Sequence, residues 1–111
     1  MSDAISAGSE PSVLYAKLLG ETATITWQEL QRFFAGGNVL RVAGELDLVA
    51  VAEALAEDDG AKVQLWLTAG SLRKMEVADA EDYQARDPQL WAVVVAPWVL
   101  VQERAEAPSL H

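Results

Sequence analysis

The amino-acid sequence predicts a single α+β domain, and three observations carry that class. Apolar residues recur at helical spacing in separate windows, Trp27, Leu30, Phe33 and Phe34 in one and Leu48, Val51, Ala52 and Leu55 in another. Aliphatic, β-prone runs stand between and after them, at Val39 to Val42 and within Leu90 to Glu103. The chain has 111 residues, 51% of them hydrophobic and 23% charged, which suffices for one core and not for two domains.

The opening segment MSDAISAGSE is small and polar, without the basic and apolar regions of a secretory signal. Residues 1–9 are therefore expected as a disordered tail, residues 10–103 as the folded domain and residues 104–111 as a second tail. A first helix is expected at Pro11 to Leu19, with Pro11 at its first position and Gly20 as its stop. Thr26 and Glu29 form a T-x-x-E capping box that opens the next helix, and Gly36-Gly37-Asn38 closes it. Val39 to Val42 reads as a short strand. Asp47 caps a helix running to about Glu57, and after Asp58-Asp59-Gly60 a further helix carries Val63, Trp66 and Leu67 inward and ends at Gly70. Ser71 to Val77 is expected as a strand and Asp79 to Arg86 as a polar turn of helix ending at Asp87-Pro88. Leu90 to Glu103 is expected as one last strand, with an edge or bulge at Pro97.

From Thr26 onward this is the order of a winged helix: three to four helices, a small antiparallel sheet, a helix-turn-helix at residues 47–70 and a wing between Val77 and Leu90. The segment AVAEALAEDDGAKVQLWLTAGSLRKM resembles the helix-turn-helix and first wing strand of such domains. A second resemblance spans residues 13–103: ITWQELQRFFAGG at residues 25–37 with LWAVVVAPWVLVQ at residues 90–102 is similar to a family of small bacterial proteins known only as a domain of unknown function. That resemblance implies no activity, ligand or catalytic residue.

Charge bears on what a helix-turn-helix could meet. The chain carries eight Lys plus Arg against seventeen Asp plus Glu, a formal net charge of −9. From Gly44 through Gln89 the cations are Lys62, Arg73, Lys74 and Arg86, against eleven acids. A tight DNA binder neutralises roughly six to ten phosphates, so this balance argues against a nucleic-acid partner. In the alternative reading, a winged helix-turn-helix transcriptional regulator, the DNA contacts would be Lys62, Gln64, Arg73 and Lys74.

Catalytic residues are equally sparse. There is no Cys, and the one His is His111, the last residue, so thiol nucleophiles, thiolate metal sites and a positioned His base are excluded or left without support. The clusters Glu57-Asp58-Asp59 and Asp79 to Asp82 lack the spacing of a calcium loop, and no phosphate-cradling or dinucleotide motif is present. We expect no catalytic residue, no metal site and no cofactor, and hence not an enzyme. The longest apolar stretch, Leu90 to Val101, is twelve residues and contains Pro97, too short for a membrane span. A cytoplasmic protein with no membrane partner is expected.

The last strand points to polypeptide partners. Strict alternation places Leu90, Ala92, Val94, Ala96, Trp98 and Leu100 on one face and Trp91, Val93, Val95, Pro97, Val99 and Val101 on the other. Both faces are apolar, and a bare face of that size is uncommon on a soluble monomer. It is covered either by the first helix, through Leu14 and Leu18, or by a second copy. A shift of the alternation at Pro97 would bring Trp91 and Trp98 to one face. The reading is a non-enzymatic protein-interaction module that forms a homodimer or binds a protein partner, with Leu65, Trp91, Val93, Val95, Val99 and Val101 as candidate contacts.

Overall fold

The computed structural model describes residues 12–105 and 107–108. The elements run α1 (Val13–Glu21), β1 (Ala23–Ile25), α2 (Trp27–Ala35), β2 (Val39–Val42), α3 (Leu48–Ala56), α4 (Gly60–Ala69), β3 (Leu72–Lys74), α5 (Val77–Arg86), β4 (Leu90–Val95) and β5 (Trp98–Glu103). The strands form one sheet in the order β1-β4-β5-β2-β3. Neighbours are antiparallel except β2 and β5, which run parallel with Leu40 opposite Leu100.

Helices cover both sides of this sheet. On one side α1, α3 and α4 pack a core of Leu18, Leu48, Val49, Val51 and Ala52 against Leu40, Val42, Leu72, Val93 and Leu100. On the other, α2 and α5 pack Trp27, Leu30 and Tyr83 against Val39, Leu90, Val99 and Val101. The sequence of each central strand explains the two layers, because alternate side chains of an apolar strand go to opposite faces and both need cover. α3, LVAVAEALA, is apolar enough to bury five residues and takes the middle of its layer. α2 buries a narrower stripe, Trp27 and Leu30, below a complete capping box between Thr26 and Glu29. Gln102 is fully buried in β5, where its Nε2 donates to the carbonyls of Ala43 and Leu46, both at 2.8 Å, pinning the chain ahead of α3.

The α+β class holds, and several elements differ from expectation. Among the described residues the sheet is five-stranded and mixed, where a small antiparallel sheet is expected of a winged helix, and the helices number five. The wing expected between Val77 and Leu90 is instead the ten-residue helix α5. β1, unanticipated in the sequence, adds to β4 with Ala23 opposite Ala92. α1 starts from Ser12, whose side chain accepts from the Tyr15 N–H, and runs through Gly20 to a cap at Thr22; Pro11 lies outside the described residues. The last strand is two strands, a hairpin turning at Ala96-Pro97 with Val95 opposite Trp98. A two-residue turn reverses the chain and inverts the expected alternation. Trp91 and Trp98 thereby share the α1/α3 side, whereas Leu90 and Ala92 lie on the opposite side from Trp98 and Leu100. The tail expected at residues 1–9 lies outside the described residues, as do residues 106 and 109–111 of the second.

Candidate interaction surfaces

α4 is built for exposure on one side. Asp59 caps it by accepting from the Lys62 N–H at 3.3 Å, and Gly70 ends it with φ 80°, a left-handed conformation that glycine adopts without a Cβ penalty. Between the caps the sequence GAKVQLWLTA holds one cation and no acid. Val63 and Trp66 pack partly against the first core, yet no residue of α4 is buried. Leu65 is 67% exposed and Leu67 45%. A helix with apolar residues around most of its circumference is ordinarily covered on more than one side; α4 is covered by its own chain on one.

The other candidate contacts, all on the hairpin, sit inside the fold. Val93, Val99 and Val101 are buried, and Trp91 and Val95 pack half-buried against the α1/α3 core. The reason is the hairpin itself: β4 and β5 lie at the centre of the sheet, where α1 and α3 cover one face and α2 and α5 the other. Self-cover through α1, with Leu18 buried and Leu14 packed beside it, therefore accounts for the strand face that a second copy would otherwise have to cover.

The alternative DNA contacts do not converge on one surface. Lys62 and Gln64 are exposed on α4, where Lys62 lies 3.9 Å from Asp59 and Gln64 donates to Thr68 at 3.1 Å. Lys74 reaches the ring of Trp98, 5.9 Å from its centroid, on the α4 side of the sheet. Arg73, one residue earlier, points to the opposite side. There both terminal nitrogens of Arg73 donate to Asp79 on α5, at 2.7 and 2.9 Å.

That last pair belongs to a network that sequence reading missed. Arg41 lies opposite Arg73 in the β2/β3 register, and its Nε donates to the buried Tyr83 hydroxyl at 3.2 Å. Asp79 lies between the two guanidinium groups and also accepts from the Glu76 N–H at 2.8 Å, capping α5. The Arg73 guanidinium holds the Asp79 carboxyl below its ordinary range, against the opposing effect of burial. Farther along α5, Arg86 donates to Asp82 and to Glu103 and lowers both carboxyls. Only the Asp82 to Arg86 spacing was readable in sequence; the remaining pairs depend on α5 lying across the sheet. On the first side, burial and then a 2.6 Å hydrogen bond to Asp47 push the Tyr15 phenol up.

A groove of about 620 Å³ opens between α2 and the β1/β4 edge of the sheet, lined by Ile25, Phe33, Ala92, Val94 and Val99 and rimmed by Glu21, Gln28, Glu29 and Arg32. Among the described residues, no group of three or more His, Cys, Asp or Glu could hold a metal ion, and no helix is long and apolar enough to cross a membrane.

Residues 13–103 match the family described as Protein of unknown function (DUF2288). The chain is similar to PA1075 from Pseudomonas aeruginosa, whose solution structure was determined by NMR: the two are 62% identical with a TM-score of 0.75, over 92% of this chain and 94% of that one. No curated protein matches.

Proposed function

The chain belongs to the DUF2288 family, whose function is unknown, and from that starting point we propose that it is a non-enzymatic protein-interaction module that meets a protein partner or a second copy of itself through α4. The observation that carries this reading is the side of α4 turned away from Val63 and Trp66: Leu65 stands there 67% exposed, on a helix with no acid and no buried residue, in a chain of net charge −9. A net charge of −9 disfavours acidic partners and nucleic acid, whereas Leu65 on the outer side of α4 gives another polypeptide an apolar contact on a helix that carries no carboxylate.

Arg73, Arg86 and Arg41 are engaged with Asp79, Asp82, Glu103 and Tyr83 of the same chain, which weakens the regulator reading further. The cations still exposed near α4 fall far short of the number of phosphate contacts that tight DNA binding needs.

Light scattering after size-exclusion chromatography, over a hundredfold range of concentration and with candidate partners added, tests the reading. Leu65→Glu is expected to abolish self-association or partner binding while leaving thermal stability within about 0.5 kcal/mol of wild type, because an exposed position loses no packing. A protein that stays monomeric and partnerless, or that associates equally well with Glu at position 65, contradicts it.

A further inference from the structure

We propose that the groove beside α2 accepts an extended, basic polypeptide segment that adds to the sheet at Val94. This proposal rests on reading the chain as a protein-binding module, but it uses a surface on the opposite side of the sheet from α4.

The backbone pattern argues for a strand as the occupant. β4 pairs with β5 along six residues, Leu90 to Val95, but with β1 along only three, Leu90 to Ala92. Beyond Ala92, no strand of the described residues lies beside the outer edge of β4. In antiparallel pairs the residues alternate between exchanging both backbone hydrogen bonds and exchanging none. The Val99 N–H donates to the Asn38 carbonyl at 2.8 Å, toward β2, so the Val94–Val99 pair is one that exchanges none. The N–H and C=O of Val94 consequently point outward, in phase with those of Ala92, which face Ala23 in β1. Continuing the β1 register would set Glu21 opposite Val94, but Glu21 is the last residue of α1 and the chain has already left the sheet.

Among the described residues no backbone or side-chain group pairs with Val94, and its side chain is 58% exposed. Such an edge is a ready template for an incoming strand. The backbone of an extended segment supplies donor and acceptor at that spacing. The two edges of the sheet differ in this respect: β3 carries Arg73 and Lys74, charges of the kind that guard an edge, while Val93 to Val95 carry none.

The groove sets the chemistry of the occupant. Alternate side chains of a strand laid along Val94 would face Val94, Val99 and Phe33, which suits β-branched or aromatic residues. The rim holds Glu21 and Glu29 against Arg32, one net negative charge on a chain of −9. Glu29 is occupied with Thr26, so Glu21, at the open end where β1 stops, is the carboxylate placed to meet a Lys or Arg of the partner.

An immobilised array of eight-residue peptides tests this, with alternate positions varied over Val, Ile, Tyr, Thr, Lys and Glu and probed with the labelled full-length protein. Peptides with apolar residues at alternate positions and one Lys are expected to be retained at least tenfold above their Glu counterparts. Val94→Pro, which removes the outward donor at an edge position where Pro is tolerated, should abolish retention, and Glu21→Lys should reverse the Lys over Glu preference. Leu65→Glu should leave retention unchanged. Circular dichroism of each variant confirms that it folds, and Val94→Arg serves as the blocking variant if Val94→Pro does not. No retention above the blocked variant, or retention lost on Leu65→Glu instead, overturns the groove proposal; the former leaves the α4 reading intact, and failure of α4 to associate leaves the groove result to stand by itself.

Discussion

At the scale of single residues, two polar side chains, Asp79 and Gln102, tie separate elements together. Asp79 accepts from both terminal nitrogens of Arg73 and from the N–H of Glu76, so it joins α5 to β3 and caps α5 at once. Its carboxyl is held below the ordinary range by Arg73. A carboxylate depressed in the folded state adds stability above its unfolded pKa, and that stability is lost as pH falls through the lower, folded value. Stability should therefore drop below about pH 4, and Asp79→Asn should flatten that acid limb in urea titrations while costing about 1–3 kcal/mol at pH 7. Gln102 gives a second test: Gln102→Leu takes a donor from the carbonyls of Ala43 and Leu46, of which the first keeps the Leu46 N–H, and should cost about 1–3 kcal/mol by the same titration at neutral pH. Neither role was legible in the sequence, since Arg73 meets Asp79 only once α5 folds back over β3, and Ala43 and Leu46 reach Gln102 only once β2 pairs with β5. The Asp82 to Arg86 pair was legible because one helix brings both ends together.

Elements were legible where local signals agreed. The Thr26/Glu29 box and the stripe from Trp27 to Phe34 specify α2, and Asp47, Asp59 and Gly70 bound α3 and α4. Thr26→Ala should cost about 1 kcal/mol and lower the melting temperature accordingly, read by calorimetry, since it removes half of a reciprocal cap. Elsewhere the signal was thin. α5 is half polar, with Val77, Ala80 and Tyr83 at spacings of three among its apolar residues, so Asp79 to Arg86 reads as a polar turn of helix and the full length and burial at Tyr83 do not show. β1 is three residues, too short for alternation to register. The hairpin was hidden by composition: LWAVVVAPWVLV is apolar throughout, and the Ala96-Pro97 turn contains none of the Gly, Asn or Asp that mark most two-residue turns. Missing that reversal placed both strand faces in one plane and exposed residues that two helical layers cover.

For the molecule as a whole, the consequence is a change of surface with the interaction reading kept. With the hairpin interior, the described residues leave open Leu65 on α4 on one side and the β4 edge with its groove on the other, beneath a net charge of −9 that disfavours nucleic acid. The most direct test places a photo-crosslinking benzoylphenylalanine at position 65 in living cells, with a matched substitution at the buried position 93 as control. The account predicts that position 65 yields a discrete polypeptide adduct, identified by mass spectrometry as a second copy or a defined partner, and that position 93 yields none. An adduct to nucleic acid at position 65, or none that exceeds the control, would contradict it.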